Sequence, residues 1–108
     1  MRVVEAILPT ELSAALNAGE AIVVIDVREP QEWQIGRIPS ARLIPLGSLF
    51  SAPPDIPLDA DIVVYCHHGQ RSHAAAEALS EFGFRRVRNL VGGIDRWSRD
   101  VDPGVRRY

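Results

Sequence analysis

The chain contains no lysine, so all twelve of its basic residues are arginines. This absence excludes a Schiff-base lysine and a P-loop lysine, and with them two large classes of enzyme chemistry. The charge is uneven along the chain: four arginines and nine acids in residues 1–66 give −5, and eight arginines and five acids after them give +3. The net charge of −2 argues against a general nucleic-acid binder. The positive half favours an anionic substrate or an acidic partner.

Cysteine and long apolar runs are also scarce. Cys66 is the only cysteine among 108 residues, which excludes an intramolecular disulfide and agrees with a reducing compartment. The longest aliphatic run, "AIVVI" at 21–25, is far shorter than the roughly 20 residues of a membrane-spanning helix. The N-terminal stretch "MRVVEAILPTEL" carries two glutamates and lacks the apolar block of a signal peptide. We therefore expect one domain over residues 1–108 that is cytoplasmic and has no membrane or nucleic-acid partner.

Apolar, β-branched segments alternate with amphipathic segments along the chain, a pattern that predicts an α/β domain with a mainly parallel sheet. The carboxyl ends of parallel strands share one edge of the sheet, where binding sites form, so Asp26 and Cys66 should lie on one carboxyl edge. Thr10 is predicted to cap the first helix, and the clearest helix has its apolar face at Ala75, Ala78, Leu79 and Phe82. The predicted strands are 3–7, 21–26, 41–46, 61–66 and 85–90; the predicted helices are 10–18, 30–34, 72–82 and 92–100; residues 51–61 are predicted as a proline-rich loop.

Residues 66–72, "CHHGQRS", carry the strongest chemical signal, and we call them the Cys66 loop. The loop joins a strand to a helix, so its N–H groups and the helix N-terminus can surround the thiol and stabilise a thiolate. Gly69 allows a tight turn with positive φ, and Arg71 adds a permanent cation with several donors. His67 and His68 can donate hydrogen bonds in either protonation state. The arrangement predicts a thiolate nucleophile that acts on an anionic substrate.

Other interpretations of these residues stay open. A lone cysteine at the end of an apolar strand is often a core filler. Zinc could be bound by Cys66, His67, His68 and His73, although adjacent residues seldom chelate one metal and no second ligand pair exists. Ser72 and His73 could belong to a Ser-His-Asp triad, but neighbours in sequence do not face each other. We therefore expect neither a metal nor a cofactor.

Three segments, "IDVREPQEWQIGRIPSARLIPL", "VVYCHHGQRSHAAAEAL" and "RNLVGGIDRW", resemble the rhodanese family of sulfurtransferases in order and spacing over nearly the whole chain. The Cys66 loop resembles the family's C-x-x-G-x-R-S active loop, which is the most specific part of the likeness. The resemblance implies a five-stranded parallel sheet flanked by helices on both faces. It further implies that Cys66 takes a sulfane sulfur as a persulfide and passes it to a nucleophile. The chain length resembles that of the single-domain, free-standing members.

The resemblance also assigns roles to individual positions. Substrate-binding residues would be His67, His68, Gly69, Gln70 and Arg71, with Asp26, Arg28 and Ser72 in support. Gly92, Gly93 and Trp97 would match a family signature with a packing role. One departure is "GRIPSA", where Arg37 and Ser40 stand in place of the family's more frequent His and Gly; this affects a turn more than the activity. The expected partners are a small anionic sulfur donor such as thiosulfate and an acceptor that is cyanide, a thiol or a carrier protein.

Two rival functions remain. A cysteine-dependent phosphatase or arsenate reductase usually needs C-x5-R, whereas only four residues separate Cys66 from Arg71 here; a disulfide-forming arsenate reductase also needs a second cysteine. A non-catalytic docking or regulatory module is the other rival, although such members typically lack the loop cysteine. Arg85, Arg86 and Arg88 could dock an acidic carrier, but solvated residues around an edge strand are the simpler interpretation.

Overall fold

Five parallel strands in the order β1-β5-β4-β2-β3 form the centre of the protein in a computed structural model that describes residues 3–108. All four neighbouring pairs are parallel, which confirms the predicted sheet. The strands are β1 (Glu5–Ile7), β2 (Ile22–Asp26), β3 (Arg42–Leu43), β4 (Asp61–Tyr65) and β5 (Arg86–Leu90). The helices are α1 (Pro9–Asn17), α2 (Pro30–Ile35), α3 (Leu46–Ser51), α4 (Gln70–Glu81) and α5 (Gly93–Asp100).

Successive side chains of the central strand β4 point to opposite faces of the sheet, as the period of two requires. Ile62 and Val64 pack in one cluster with residues of α3 and α4, and Cys66 continues that alternation just beyond the strand. Val63 and Tyr65 pack in a second cluster with residues of α1 and α5. The sheet is therefore covered on both faces, which explains why its central strands read as continuous apolar runs. The alternation also turns the Cys66 side chain toward α4.

Several predicted boundaries were wrong. Helix α1 begins at Pro9 with Leu8 at the N-cap, so Thr10 does not cap it. Helix α4 begins at Gln70 rather than Ser72. Phe82 is 36% exposed and does not extend the buried face formed by Ala75 and Leu79. Strand β3 covers only two residues of the segment 41–46, since Pro45 limits the strand and the chain then turns into the unpredicted helix α3.

β5 lies between β1 and β4 in the sheet, so the arginines on it do not belong to an edge strand, contrary to expectation. No helix within residues 3–108 is both long enough and apolar enough to cross a bilayer.

Candidate active site

The turn between β4 and α4 brings Cys66 close to the start of the helix. Four residues, Cys66 to Gly69, lie between the strand and the helix. Gly69 is the N-cap of α4 and has φ +115°, a left-handed conformation that strains residues with a side chain. Because the helix starts two residues earlier than expected, Arg71 and Ser72 belong to its first turn. The Cys66 loop is thus compact and held by regular helical geometry at one end.

Three donors from this turn surround the Cys66 sulfur. The backbone N–H of Gly69 lies 3.1 Å from Sγ, and the N–H of Ser72 lies 3.4 Å from it. The Ser72 hydroxyl oxygen is 3.3 Å from Sγ. These donors and the positive end of the 12-residue helix α4 all favour negative charge on the sulfur. Cys66 is only 1% exposed, yet its surroundings are those of an anion site rather than of a purely apolar core.

Helix α5 holds the other side of the loop. The N–H of Ile94 donates to the Cys66 carbonyl at 2.9 Å, and the N–H of Asp95 donates to the His67 carbonyl at 3.2 Å. A Cβ atom on Gly93 would overlap the His67 carbonyl and come within 2.5 Å of the Cys66 carbonyl oxygen. Gly93 therefore allows two backbone segments to touch, which gives a physical reason for a glycine here. Because α5 binds these two carbonyls, the loop is held so that the N–H groups of Gly69 and Ser72 face the sulfur.

Asn89 on β5 ties the loop to the sheet, and the sequence analysis did not identify it. Its Oδ1 accepts a hydrogen bond from the Ser72 hydroxyl at 2.6 Å, and its Nδ2 donates to the Gly69 carbonyl at 3.0 Å. A hydroxyl carries one proton, so Ser72 donates either to Asn89 or to Sγ. When the sulfur is ionised, the hydroxyl can turn to it. A sequence signal could have identified Asn89: it is an amide side chain next to an apolar residue, Leu90, at the carboxyl end of a strand.

Arg71 points toward α2 and forms a two-pronged ion pair with Glu32. Its Nη1 lies 2.7 Å from Oε1 and its Nη2 lies 2.9 Å from Oε2. Hydrogen bonding to Arg71 is the main cause that lowers the pKa of Glu32 to about 2, and the same pair raises the pKa of Arg71. The Arg71 side chain is 38% exposed, so it lies at the mouth of the site. Sequence reasoning identified Arg71 but missed its partner, 39 residues earlier.

Asp26 and Arg28 form a fully buried ion pair at the carboxyl end of β2. Arg28 Nη2 lies 2.7 Å from Asp26 Oδ2, and both side chains have no exposed surface. Burial alone would lower the pKa of Arg28, but hydrogen bonds to Asp26 and Tyr108 raise it overall. Arg28 also donates to the carbonyls of Glu32 and Gly36. The pair does not contact Cys66; it fixes the segment that carries Glu32.

Tyr108 and two histidines complete this side of the site. The Tyr108 ring stacks on the His67 ring, with centroids 3.9 Å apart and an angle of 7° between the planes. The His68 ring also lies 3.9 Å from the His67 ring, at an angle of 31°. Burial and the neighbouring His68 lower the pKa of His67, which favours its neutral form. The Tyr108 hydroxyl accepts from Arg28 Nη1 at 3.0 Å and donates to Glu32 Oε2 at 2.7 Å. Within the Cys66 loop, His68 and Gln70 are exposed.

The alternative groupings from the sequence do not assemble. His73 lies near Glu77 on the exposed face of α4, with 3.4 Å between Nδ1 and Oε1. The Ser72 hydroxyl contacts Cys66 and Asn89, as described, so no serine triad with His73 forms. Within residues 3–108 no group of three or more His, Cys, Asp or Glu side chains is arranged to hold a metal ion.

The arginines of β5 lie at the other end of the sheet. Arg86 and Arg88 both pair with Asp61, at 3.6 and 2.9 Å. Together with Arg85 and two glutamates they line a cleft of about 410 Å³. Asp61 begins β4 whereas Cys66 follows its last residue, so this cleft and the thiol are separated by the length of the strand. Its mixed charge makes it a weak site for an acidic carrier.

Comparison with known proteins identifies the family of this chain and agrees with its fold. Residues 8–100 match the family model of the Rhodanese-like domain. A sulfurtransferase of Allochromatium vinosum is 39% identical over 94 residues, covering 87% of this chain and 88% of that protein. The probable adenylyltransferase/sulfurtransferase MoeZ of Mycobacterium tuberculosis is 38% identical over 94% of this chain, which spans only 26% of MoeZ. The human single-domain sulfurtransferase TSTD1 superposes with a TM-score of 0.81 at 25% identity, covering 91% of this chain and 98% of TSTD1.

Proposed function

Since this chain belongs to the family of rhodanese-like domains, we propose that it is a sulfurtransferase that carries a sulfane sulfur as a persulfide on Cys66. The sulfur comes from a donor such as thiosulfate and passes to a nucleophilic acceptor: cyanide, a thiol or a carrier protein. The observation that supports this most directly is the set of three donors around Sγ. They stabilise negative charge where the reacting sulfur must be ionised.

The reaction with thiosulfate divides into two displacements. The Cys66 thiolate attacks the outer sulfur of thiosulfate, and the S–S bond breaks with its electron pair going to sulfite. This step converts the thiolate and a dianion into a persulfide anion on Cys66 and sulfite, so the total charge of −3 is conserved. An acceptor nucleophile then attacks the terminal sulfur, and the electron pair of that S–S bond returns to Cys66. No oxidant, metal or cofactor is needed, and a lone cysteine cannot discharge the persulfide as an internal disulfide.

In this proposal the Cys66 loop binds the transferred sulfur and its anionic donor. The N–H groups of Gly69 and Ser72 face the sulfur, and His67, His68, Gln70 and Arg71 form the surrounding surface. Asp26 and Arg28 act at a distance by holding the α2 segment in place. The charge of the transferred group is therefore compensated mainly by backbone dipoles, which are fixed before the reaction begins.

A protein acceptor or donor is part of the proposal because of the relatives. MoeZ is named as both an adenylyltransferase and a sulfurtransferase. The protein YrkF of Bacillus subtilis, named as a putative sulfur carrier protein, is 32% identical over 77% of this chain. We expect this chain to exchange sulfur with a protein thiol as well as with small molecules. Neither a nucleic acid nor a membrane enters the proposed reaction.

Intact-mass measurement after thiosulfate treatment tests the proposal. The native protein should gain one sulfur atom, about 32 Da, which a reductant removes, while sulfite appears in the solution. Cys66→Ser should fold, since the substitution is nearly isosteric, and should gain nothing; circular dichroism checks the fold. The same two proteins should show little hydrolysis of an aryl phosphate. A sulfur adduct on Cys66→Ser, or phosphatase turnover that requires Cys66, would contradict the assignment.

A further inference from the structure

Glu32 is held in one position at the mouth of the site. Arg71 binds both of its carboxylate oxygens, at 2.7 and 2.9 Å. The Tyr108 hydroxyl donates to Oε2 at 2.7 Å, and the backbone N–H of Glu29 donates to Oε1 at 3.1 Å. The Glu32 side chain is only 17% exposed. Contacts from three directions therefore fix a carboxylate against Arg71, the arginine of the Cys66 loop.

This arrangement changes the charge that an entering donor meets. Because the pKa of Glu32 lies at about 2, the carboxylate is ionised throughout the neutral range. The Arg71 charge is compensated by Glu32, just as the Arg28 charge is compensated by Asp26. An anion that seeks Arg71 has to displace Glu32 or share the guanidinium with it, and in both cases it approaches a negative charge.

We propose that Glu32 is a specificity-determining residue that disfavours dianionic sulfur donors, such as thiosulfate, relative to donors of lower charge, such as hydropersulfides. This inference rests on the proposed function of Cys66. It concerns which donor is used efficiently, not whether sulfur is carried. The repulsion grows with the charge of the donor, whereas the backbone donors around Sγ act on the transferred sulfur whatever group it leaves.

Both donors load the same atom through balanced reactions. With thiosulfate, the leaving group is sulfite, as described above. With a hydropersulfide R–S–SH, the Cys66 thiolate attacks the terminal sulfur and the S–S bond breaks with its electron pair going to R–S⁻. The products are Cys66–S–SH and the thiolate R–S⁻, which then takes up a proton. The hydropersulfide carries at most one negative charge on its reacting group, against two on thiosulfate.

The test is Glu32→Gln, assayed with thiosulfate and with a small alkyl hydropersulfide under identical conditions. Glutamine keeps one oxygen, which can accept from the Glu29 N–H, and its NH2 group can donate to the Tyr108 oxygen. The substitution removes the charge that engages Arg71. The kcat/KM for thiosulfate should rise about fivefold, which corresponds to the roughly 1 kcal/mol of a partly exposed ion pair. This rise in kcat/KM should come mainly from a lower KM for thiosulfate. The kcat/KM for the hydropersulfide should change less than twofold.

Two variants control for other effects of the substitution. Glu29→Gln removes a charge three residues before Glu32. The Glu29 side chain is exposed and forms no ion pair with Arg71. Glu11→Gln removes a carboxylate that holds the N-terminus of α1, where Glu11 Oε1 accepts from the Leu8 N–H at 2.8 Å, as Glu32 does for α2. Both variants should leave the ratio of the two kcat/KM values at its native level.

The possible outcomes separate this inference from the proposed function. If both donors load native Cys66 and Glu32→Gln leaves their ratio unchanged, the specificity role is wrong while the sulfur-carrying role stands. An equal rise for both donors, or a fall for thiosulfate, would also overturn it, because charge selection must favour the dianion alone. If neither donor places sulfur on Cys66, the proposed function is wrong and the inference falls with it.

Discussion

Replacing Gly93 with alanine should disturb the Cys66 loop through its backbone, without removing any chemical group of the site. The new Cβ would overlap the His67 carbonyl and lie 2.5 Å from the Cys66 carbonyl oxygen. Because neither atom belongs to a flexible side chain, the loop or α5 has to move. Movement of the loop breaks the hydrogen bonds from Ile94 and Asp95 that orient it. We therefore expect Gly93→Ala to lose sulfur transfer while it remains folded.

Two other glycines, Gly19 and Gly92, separate the contributions to the effect of Gly93→Ala. Gly19 has φ +80° and an added Cβ would meet nothing within 4 Å, so Gly19→Ala reports only the left-handed strain of about 1–2 kcal/mol. Gly93 has φ +61° and adds the steric overlap, which typically costs about 1–3 kcal/mol. The sum of about 2–5 kcal/mol is smaller than the stability of many domains, about 5–15 kcal/mol.

Gly92→Ala is the matched control for activity. Its φ is +73°, and the added Cβ would lie 2.5 Å from the Cβ of Arg96, so it is strained and crowded too, but against α5 itself. Urea unfolding should show a loss of stability for Gly92→Ala and for Gly93→Ala. Sulfite release per folded molecule should fall at least tenfold for Gly93→Ala only. Equal activity losses in both variants, or native activity in Gly93→Ala, would refute the role assigned to the contact between α5 and the loop.

Two other predictions concern side chains around the loop. Asn89→Ala removes the partners of the Ser72 hydroxyl and the Gly69 carbonyl, so it should cost about 1–3 kcal/mol in urea unfolding. It should also speed the alkylation of Cys66 at pH 7, because the freed hydroxyl can donate to the sulfur and favour the thiolate. Arg71→Ala should lower thiosulfate efficiency about ten- to a hundredfold at low salt and at about 0.15 M salt, whereas Arg86→Ala should match the native protein once salt is present. Native efficiency in Arg71→Ala would mean that backbone N–H groups alone hold the donor.

Most of the fold follows from local patterns. The runs at 21–26 and 61–66 predicted covered strands because β-branched residues fill both faces, and Ile25 and Val63 are indeed fully buried on opposite sides of the sheet. Trp97, for which the resemblance implied a packing role, is only 5% exposed, and Ile94 in the same helix is 2% exposed. These features depend on neighbours in sequence, so a single sequence contains the information.

The missed elements lack such local signals. Helix α3 has six residues, follows Pro45 without a side-chain cap and buries only Leu49, so no helical period could be recognised. Phe82 continued the apolar spacing of α4, but it is the C-cap residue, where the chain turns back toward β5, and its side chain stays 36% exposed. In each case the outcome depends on what packs against the segment, which sequence spacing does not reveal.

The candidate site divides in the same way. The thiol, the turn glycine and the helix that follows them were predicted from seven consecutive residues, because their relationship is local, although the helix begins two residues earlier than expected. Asn89 and Glu32 lie 17 and 39 residues from the loop residues that they bind. Only the register of the parallel strands, which sets Asn89 beside Val64, and the position of α2 at the carboxyl edge bring them there.

This division bears on how the chemistry is distributed. The local part supplies charge stabilisation of the sulfur through backbone donors, which nearly any sequence with the right turn could provide. The distant part supplies what distinguishes one such site from another: Glu32 sets the charge near Arg71, and Asn89 decides where the Ser72 hydroxyl points. Substitution of Cys66 should therefore abolish sulfur transfer, whereas substitutions of the distant partners of the loop should alter donor preference and thiol reactivity. Under the role proposed for Glu32, donor specificity in this protein is a property of tertiary contacts.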